Sequence, residues 1–600
     1  MEASDRRISY PLILLHGIVF ILVLTAYGCT LAPGLVEIDA GELSAVMCTN
    51  GIAHPTGYVL YTWLGFLWSK IPFFPSVIYG LNFFSAIQVA LSVNIVLAGI
   101  LLLLDNSSHT SITSFYKYSI GTICSLSYAF FGLVWSQALS VEVYSFLLLW
   151  VSIVFYALVG INYKSNKNKW LYFLGVSLGL LFTHHLLGLF LFPGIFLFLL
   201  WYFRNKSFLP FMKVLGMVVA CMLISYTYLF LHAQSDPALN WGNPSSITYL
   251  VRHITGSQYN SFMFSSESYH NGWIVFWESM PKNVGYVSIP LAFVGLLYGI
   301  VLRIKLNAVF IITAFLVLFL IPFYGIRDIN NYFLPIYIIL PYWMALGLIF
   351  LFRYWKQSVL FFFLLPFFLV WSGKDVYDRS KDVYIDQYTQ LFFDKMPQDA
   401  LYIGYAWDIL ISPTYYCQYC EGKRPDVLVM DKLLMQNPWY YDQLHPALFN
   451  GLEKEKEQLL EKLGTQSDDG FMLSRFFTRL IQVNVPRRPV FLSYEIFRND
   501  LGKNMILPPN MMLVPKEFGF EVREGNAYVP MNYHEQPILF NGKDDFYTRL
   551  IIEDRVNLYV ARCLYELQYG RYDKAYICLS VLQNLYPDHP NTRKLSEKIR

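Results

Sequence analysis

Apolar runs of bilayer length recur along the chain as far as about Trp371, with short polar breaks between them. A helix needs about 20 consecutive apolar residues to cross the hydrocarbon core of a membrane. The 600 residues are 55% hydrophobic and 14% charged, whereas soluble domains carry roughly 25% charged residues. Aromatic residues reach 18%, which suits long membrane–water boundaries. The pattern predicts a polytopic, helical membrane protein.

About eleven segments have the composition of a membrane span. Short loops rich in Lys and Arg stay on the cytoplasmic side, so Arg6 and Arg7 place the N-terminus there. The predicted spans are residues 11–28, 79–104, 119–136, 145–162, 170–183, 186–202, 211–232, 285–302, 307–324, 332–352 and 358–371. The first run has no convincing small-residue cleavage site after it, so we interpret it as a retained span rather than a signal peptide.

The run 57–69 is apolar but is predicted not to span. Counting it as a span would invert every later loop and put most basic clusters outside, so we interpret it as an amphipathic helix on the outer surface. The polar residues that interrupt the apolar pattern then share the outer face. The N-terminus is expected in the cytoplasm and the C-terminal domain outside, which in a bacterium means the periplasmic face of the inner membrane.

Composition changes after Trp371, where charged and amide residues become common. This predicts a membrane domain over 1–372 and an extracytoplasmic α/β domain over 373–550, because the strand-like runs Val427–Met430 and Val490–Ser493 alternate with helical segments. The final residues, 551–600, contain Gly570 and Ala575 at the spacing of a tetratricopeptide-like (TPR-like) helical hairpin.

Charge and cysteine content exclude several functions. The formal net charge is only +3 and the basic residues are dispersed, so no nucleic-acid partner is expected. Cys417 and Cys420 form a lone CxxC motif. Zinc would require two further ligands at suitable spacing, and none is present, so a packed pair or a local disulfide is predicted. Cys48, beside a span, is expected to act as a small apolar residue.

Asp39 and Glu42 follow the first span directly. A spacing of three puts both carboxylates on one face of a helical turn, and an ionised group beside a bilayer must be paired, hydrated or functional. Sugar transfer to a hydroxyl requires a base that takes the proton of the acceptor. We expect Asp39 to be this base and Glu42 to assist it. The alternative is that one acid caps the helix and the other is solvated.

Other polar residues at the outer ends of spans are weaker candidates. His54 precedes Pro55, which suits the first turn of the predicted surface helix, and this histidine either orients a phosphate or has a structural role. Glu142 lies at a span boundary, where an acid needs a partner. His184 and His185 are adjacent and therefore do not form the i, i+4 pair of a metal site.

Two arginines are best placed to bind an anionic donor. Arg252 lies in the long outer loop beside His253, and Arg327 precedes Asp328 at another outer mouth. The guanidinium group is the preferred fork for phosphate oxygens. We expect His54, Arg252, His253 and Arg327 to bind the donor phosphate, although an ion pair such as Arg327 with Asp328 is the simpler alternative.

Several separated motifs occur in a characteristic order. They are Asp39-x-Gly41-Glu42, Ala53-His54-Pro55-x-Gly57-Tyr58, Ser136-Gln137-x-x-x-x-Glu142-Val143-Tyr144, Asn240-Trp241-Gly242-Asn243-Pro244, His253-Ile254-Thr255-Gly256-x-x-Tyr259, Asp328-x-x-x-Tyr332-Phe333-Leu334-Pro335 and Gly422-x-Arg424-Pro425-Asp426-Val427. Together they resemble a polytopic family, long described as a domain of unknown function, that includes the animal transmembrane protein O-mannosyltransferase of plexin-type receptors. We interpret the chain as a bacterial member.

The resemblance implies a GT-C-like bundle with an outer active site, a sugar donor linked to a lipid phosphate and a catalytic acid in the first outer loop. It also implies a set of residues that line the site: Tyr58, Gln137, Glu142, Tyr144, His184, Asn240, Trp241, Tyr259, Asp328 and Tyr332. One departure concerns the segment after the last span. Relatives often carry a Gly-Asp-Asn-Asp-type sequence there, whereas Gly404–Asp408 retains only part of this polarity.

The resulting hypothesis is an inverting glycosyltransferase that moves a sugar, mannose in our interpretation, from a polyprenyl-phosphate carrier to Ser or Thr of an exported protein. Arginines can neutralise the phosphate without a metal, so no cofactor is predicted, although Asp39, Glu42 and Glu142 are available as ligands. The alternatives are a transferase acting on a lipid or envelope glycan, a flippase for lipid-linked sugars, and a non-catalytic assembly platform. A flippase would require mid-bilayer charges or paired repeats, which the chain lacks.

Overall fold

The computed structural model describes residues 10–105, 112–264, 266–464, 470–502, 506–533 and 537–599. They form two compact units. The helical unit consists of the described residues of Met1–Pro33, Asn50–Pro237 and Asn243–Lys381. The sheet unit consists of those of Gly34–Thr49, Ala238–Gly242 and Asp382–Arg600. Two short segments from the apolar part of the chain therefore belong to the same unit as the polar C-terminal part.

Helices dominate the chain. In chain order they are α1 (Tyr10–Thr30), α2 (Ala40–Thr49), α3 (Val59–Ser69), α4 (Val77–Asp105), α5 (Ser114–Ala129), α6 (Gly132–Ser136), α7 (Val143–Tyr163), α8 (Lys167–His184), α9 (Phe192–Phe203), α10 (Leu209–Gln234), α11 (Ile247–Ile254), α12 (Ser266–Val284), α13 (Ser288–Leu302), α14 (Ile304–Leu320), α15 (Leu334–Tyr354), α16 (Ser358–Phe362), α17 (Leu364–Tyr377), α18 (Tyr384–Lys395), α19 (Ser412–Tyr419), α20 (Tyr440–Gln443), α21 (Glu453–Gly464), α22 (Gly470–Asn484), α23 (Tyr494–Asn499), α24 (Phe546–Gln568), α25 (Tyr572–Leu585) and α26 (Pro590–Ile599). Short 3-10 helices cover Leu186–Leu191, Ser257–Phe262, Ile321–Phe323, Ile329–Phe333, Leu434–Gln436 and Pro446–Phe449.

Within the described residues, eight helical segments are long and apolar enough to cross a membrane, or nine if the bent pair Asn271–Val284 and Ser288–Leu302 counts as one span. The eight are Tyr10–Thr30, Val77–Asp105, Val143–Tyr163, Leu186–Phe203, Leu209–Gln234, Ile304–Phe323, Ile329–Tyr354 and Ser358–Tyr377. Helices also occupy the other predicted spans, but α5 and α8 are not among the eight, so the count of eleven is not confirmed. Helix α3 has 11 residues, roughly 16 Å at 1.5 Å per residue, which is too short to span a bilayer.

Buried polar side chains link the apolar helices. The hydroxyl oxygen of Ser92 on α4 lies 2.9 Å from that of Tyr128 and 2.8 Å from that of Ser152 on α7. Apolar surface gives helices little reason to associate in lipid, so such contacts and close packing hold them together. Asn82 has a similar role: its amide donates to the carbonyl of Ala32 and its oxygen accepts from the amide of Val141, both at 3.0 Å.

The sheet unit contains one mixed sheet in the order β2-β1-β3-β5-β4. Its strands are β1 (Leu401–Gly404), β2 (Leu428–Asp431), β3 (Val490–Leu492), β4 (Met511–Lys516) and β5 (Gly519–Glu524). Strand β1 pairs in parallel with β2 and β3, aligning Leu401 with Leu428 and Val490, and β5 joins antiparallel. All four residues of β1 are buried, as expected for a central parallel strand. The two predicted strand-like runs are β2 and β3.

Arg424, from the last family motif, fixes the end of a helix beside this sheet. Its guanidinium group donates to the carbonyl oxygens of Phe393, Met396 and Pro397 at the C-terminus of α18. The same group forms a bidentate pair with Asp426, with nitrogen–oxygen distances of 2.9 and 2.8 Å. A cation at a helix C-terminus satisfies carbonyls that have no partner within the helix. The motif is therefore structural at this arginine.

The last three helices, α24 to α26, pack around their own apolar cluster, which includes Val556, Tyr559, Leu579 and Leu582. A disulfide between Cys563 and Cys578 joins α24 to α25. Helix α24 begins with a capping box, in which the Asp545 carboxylate accepts from the amide of Thr548 at 2.8 Å. The comparison with a TPR-like hairpin remains a prediction.

Candidate active site

The acid segment, residues 34–49, belongs to the sheet unit. Asp39 immediately precedes α2 and Glu42 lies in its first turn. The backbone carbonyl of Asp39 accepts a hydrogen bond from the amide of Leu43 at 2.9 Å, and the amide of Ile38 donates to the carbonyl of Asp408 at 2.8 Å. Asp39 is half-buried and Glu42 is 1% exposed. The two predicted acids therefore differ in environment, and Asp39 is the more accessible.

Trp407 binds the Asp39 side chain. Its indole Nε1–H group donates to Oδ1 of Asp39 at 2.7 Å, a short distance that is typical of hydrogen bonds to a charged acceptor. Trp407 follows β1 and opens the π-helical turn Trp407–Ile411. This turn lies where the sequence departs from the family pattern. Its role could not be read from the sequence, because a tryptophan carries no sign of the distant residue to which it donates.

Ser412 and Cys420 hold the rest of the acid segment. The amide of Glu42 donates to the hydroxyl oxygen of Ser412 at 3.0 Å. Gly41 packs so closely that a Cβ atom there would overlap the carbonyl of Ser412. Cys48, at the other end of α2, forms a disulfide with Cys420. The predicted local pairing of Cys417 with Cys420 is therefore wrong, as is the apolar role expected for Cys48, because folding brings α2 against α19.

Glu37 and Asp386 are acids that the sequence analysis did not select. The hydroxyl group of Tyr384 donates to Oε2 of Glu37 at 2.9 Å. The Asp386 carboxylate accepts from the amide of Leu35 at 3.1 and 3.2 Å. Burial raises the pKa of Asp386 to about 6, against the opposing effect of the Leu35 hydrogen bond. The hydrogen bonds of both acids thus hold the N-terminal end of the acid segment, and each joins residues more than 340 positions apart in the sequence.

Asn240 and Trp241 also belong to the sheet unit. The amide of Asn240 donates to Oε1 of Gln443 at 2.8 Å. The ring of Trp241 lies 5.3 Å from that of Trp407 in an edge-to-face arrangement and 5.2 Å from that of Trp439. The long-loop motif therefore contributes an aromatic contact to the residue that binds Asp39.

The helical unit contains a second group of predicted residues, the ring cluster: His54, Tyr58, His184, His185 and His253. The ring of Tyr58 lies 5.2 Å from that of His54, 5.6 Å from that of His184 and 6.0 Å from that of His185. The oxygen of Tyr58 is 3.2 Å from Nε2 of His54. Helix α3 begins only at Val59, so the expected helical position of Pro55 is wrong. The His54–Tyr58 stretch instead forms a turn upstream of the helix.

His253 is the most unusual member of the ring cluster. Its side chain is 2% exposed, and neither ring nitrogen has a hydrogen-bond partner. Its Nε2 atom lies 3.0 Å from where a Cβ atom would stand at Gly57, which has φ of +83°. Burial, with the nearby His54, lowers the pKa of His253 to about 3. This histidine is therefore neutral near pH 7, and a neutral imidazole can donate one hydrogen bond and accept another.

The ring cluster continues into the Asp328 region. The rings of Tyr144 and Tyr332 lie 5.4 and 5.8 Å from that of His185. The hydroxyl group of Tyr144 donates to Oδ2 of Asp328 at 3.3 Å. Burial, followed by the neighbouring His184 and His54, lowers the pKa of His185 to about 3. Residues from four separate motifs thus belong to one unit.

The remaining predicted residues have more varied surroundings. Glu142 is the N-cap of α7 and its carboxylate accepts from the amide of Val143, whose carbonyl lies 2.8 Å from Nε2 of His184. The amide of Gln137 donates to Oδ1 of Asn331 at 3.0 Å. Arg252 is partly exposed over the ring of Tyr249, Arg327 is exposed, and Tyr259 is partly buried in a 3-10 helix.

Within the described residues, no group of three or more His, Cys, Asp or Glu side chains has an arrangement that could hold a metal ion. In particular, the adjacent His184 and His185 have separate functions in the local structure: the first contacts the carbonyl of Val143, and the second accepts from the amide of Leu187 at 3.1 Å.

Comparisons with known proteins agree with the expected resemblance. The family model of the protein O-mannosyl-transferase TMEM260 N-terminal domain matches residues 39–208. The protein O-mannosyl-transferase tmem260 of Dictyostelium discoideum is 23% identical over 550 residues, covering 80% of this chain and 64% of the relative. The mouse protein O-mannosyl-transferase TMEM260 is 24% identical over 463 residues, covering 71% and 63%. The chain thus spans slightly less than two thirds of the length of these relatives.

Solved structures share the architecture at low sequence identity. ArnT from Cupriavidus metallidurans in the apo state superimposes with a TM-score of 0.54 at 12% identity, covering 85% of this chain and 97% of ArnT. ArnT bound to undecaprenyl phosphate gives 0.51 at 10% identity, covering 86% and 98%. The chain is therefore an integral, multi-pass membrane protein with a GT-C-like fold, and it resembles the polytopic glycosyltransferase family that includes the TMEM260-type protein O-mannosyl-transferases.

Proposed function

We propose that this protein is a glycosyltransferase that moves a sugar, most simply mannose, from a polyprenyl-phosphate carrier to Ser or Thr of an exported protein. The observation that carries the proposal is the Asp39 carboxylate, which an indole donor holds at 2.7 Å at the first residue matched by a family model named for protein O-mannosyl transfer. A fixed, half-buried carboxylate is what a general base for a hydroxyl requires.

The reaction assigns one role to each acid. The acceptor hydroxyl oxygen attacks the anomeric carbon while Asp39 takes its proton, and the bond between that carbon and the phosphate oxygen breaks. The bonding electrons leave with the phosphate, so the configuration at the anomeric carbon inverts. Glu42, 1% exposed in the first turn of α2, assists by shaping the field around Asp39. The lipid phosphate departs with the negative charge.

The donor is proposed to bind through the helical unit. The ArnT neighbour of similar fold is described with undecaprenyl phosphate bound, which supports a lipid-phosphate donor here. Arg252 and Arg327 would supply positive charge to the phosphate. His54 and His253 would contribute hydrogen bonds, because burial keeps His253 neutral. A neutral N–H donor suits sugar hydroxyls as well as phosphate oxygens.

The sheet unit is proposed to lie outside the cytoplasm, where an exported acceptor would be met. Two disulfides support this orientation: Cys48–Cys420 and Cys563–Cys578, both within the sheet unit. Disulfides persist in oxidising compartments and are rare in the cytoplasm. The acid segment and the C-terminal helices carry one each, so both would share the oxidising side.

Purified enzyme in lipid nanodiscs tests the proposal directly. It is incubated with a radiolabelled mannosyl-phosphoryl-polyprenol and exported proteins from the source cell, and label in protein is measured after alkaline β-elimination, which releases O-linked sugar. Wild type is expected to label protein, and Asp39→Asn to reduce the rate at least 100-fold, because its amide cannot take the proton. Glu42→Gln is expected to have a smaller effect.

Two outcomes would contradict the proposal. Label that appears only in lipid or glycan would replace the protein acceptor by an envelope acceptor, the alternative closest in chemistry. A full rate in Asp39→Asn would remove the catalytic assignment. Comparing O-glycopeptides of exported proteins in cells with and without the gene provides the matching test in vivo, and unchanged glycosylation would reject the protein acceptor.

A further inference from the structure

We propose that Trp407 is a positioning residue that orients the Asp39 carboxylate for proton transfer. This inference rests on the proposed role of Asp39 as the base. The indole Nε1–H group of Trp407 lies 2.7 Å from Oδ1 of Asp39, and an indole can only donate. The bond therefore selects one orientation of the carboxylate, and the orientation of a base decides whether it can reach the proton that it takes.

The backbone fixes the position from which Trp407 donates. Trp407 follows the buried strand β1 by three residues. Its own amide donates to the carbonyl of Tyr405 at 2.8 Å, and the amides of Leu410 and Ile411 both donate to the carbonyl of Ala406 at 3.0 Å. This widened helical turn anchors the indole to the central strand of the sheet. A donor on a mobile loop would lack this precision.

Ring contacts fix the direction of the indole. Trp241 packs edge-to-face on Trp407 with centroids 5.3 Å apart, and Tyr415 does so at 5.7 Å. Rotation of the Trp407 side chain would break both contacts, and edge-to-face ring pairs favour the observed orientation. The Trp241 of the long-loop motif is thereby explained, since it supports Trp407 from the side.

Other bonds hold the acid segment independently of the indole. The amide of Ile38 bonds to the carbonyl of Asp408, the amide of Glu42 bonds to Ser412, and Cys48 is joined to Cys420. These contacts lie on both sides of Asp39. Loss of the indole N–H group alone should therefore leave the segment in place and change only the orientation of the carboxylate.

The pH–rate profile of Trp407→Phe tests the role. Phenylalanine keeps an aromatic ring but removes the N–H donor, and a donor stabilises a charged acceptor. The acidic limb of the profile is therefore expected to move to higher pH, with kcat reduced about 10- to 100-fold. A smaller amount of folded enzyme would scale the whole profile without moving its limb. Trp439→Phe is the matched control, because it shortens a tryptophan that packs on Trp241. The acidic limb of its pH–rate profile should lie at the same pH as in wild type.

A second readout does not require activity. The indole N–H resonance of Trp407 in ¹⁵N-tryptophan-labelled enzyme, assigned by its loss in Trp407→Phe, should shift as pH falls in wild type and in Glu42→Gln but not in Asp39→Asn. A resonance indifferent to Asp39→Asn, or equal changes of the pH–rate profile in Trp407→Phe and Trp439→Phe, would overturn the inference. A titrating resonance in an enzyme without transferase activity would reject the proposed function and retain the contact.

Discussion

A disulfide joins Cys48 to Cys420 across 372 positions of the sequence. Cys48 lies in the last turn of α2, and Cys420 directly follows α19. The opposite end of α2 is held by Ser412, through the amide of Glu42. The short helix that carries the acids is thus attached to one segment of the sheet unit at both ends, by a covalent bond at one and by a hydrogen bond at the other.

Removal of this disulfide is expected to lower both stability and turnover. In Cys48→Ser with Cys420→Ser, the C-terminal end of α2 loses its covalent attachment, and native disulfides are typically worth about 2–5 kcal/mol. We expect a thermal midpoint lower by several degrees and kcat reduced at least 10-fold at a temperature where the variant is still folded. Differential scanning fluorimetry in detergent and the transfer assay measure the two quantities.

Three other cysteines provide controls for this prediction. Cys563→Ser with Cys578→Ser opens the α24–α25 disulfide and should affect stability without changing kcat. Cys417→Ser replaces a buried free thiol and should leave the disulfide between Cys48 and Cys420 intact. Peptide mapping without reduction should recover a fragment linking Cys48 to Cys420, and a fragment linking Cys417 to Cys420 would contradict the pairing.

Asp386 predicts a pH-dependent stability of the sheet unit. Burial raises the pKa of its carboxyl from 3.8 to about 6, so the folded state binds the proton more tightly than the unfolded state between these values. The contribution of Asp386 is therefore most favourable below about pH 4 and is lost as the pH rises through 6. In Asp386→Asn, an amide oxygen still accepts from Leu35, and the variant should be more stable than wild type at pH 7.5 by up to about 3 kcal/mol.

The measurement is the difference in unfolding free energy between wild type and Asp386→Asn across pH 4 to 8, because other titrating groups cancel in the difference. The gap should grow up to about pH 6 and then level off. Asp382→Asn is the comparison, since Asp382 lies on the same stretch and pairs with Lys543 at 2.7 Å. A gap that does not change with pH would show that Asp386 ionises normally in the folded protein.

Gly41 allows α2 to approach Ser412. A Cβ atom at this position would overlap the carbonyl of Ser412. The Ser412 backbone cannot move aside as easily as the end of a flexible side chain. Gly41→Ala is expected to displace the start of α2, destabilise the sheet unit by about 1–3 kcal/mol and reduce transfer at least 10-fold. Gly216→Ala, in α10 with open space around its Cβ position, should retain wild-type rate and yield. Equal effects of the two substitutions would refute the close approach.

The apolar helices could be located from the sequence because hydropathy is local. One or more helices occupy each of the eleven predicted spans, and strands β2 and β3 occur where short apolar runs follow turns. The number of spans was harder to predict from the sequence. Residues 119–136 are divided between α5 and α6, and a break of that kind depends on packing rather than on average hydropathy.

The membership of the sheet unit could not be predicted. Residues 34–49 and 238–242 are surrounded in sequence by membrane helices, yet they pack with the C-terminal part of the chain. The bonds responsible, such as that from Trp407 to Asp39 with a separation of 368 residues, are long-range and leave no local pattern. The family motifs nevertheless include Asp39 and Trp241, and both of these residues contact Trp407.

Substitution of His253 is expected to weaken binding of the sugar donor without lowering the stability of the protein. The two ring nitrogens of His253 are buried without a hydrogen-bond partner, and such groups cost roughly 1–3 kcal/mol each. Leucine has a volume similar to that of histidine, so His253→Leu should unfold at the same temperature as wild type or higher. The KM for the lipid-linked sugar should rise at least 10-fold, because the substrate loses its hydrogen bond with the imidazole. Tyr58→Phe, which removes the contact with Nε2 of His54, is expected to lower the thermal midpoint slightly. A thermal midpoint that falls sharply in His253→Leu with unchanged KM would mean that this histidine serves the fold and not the donor.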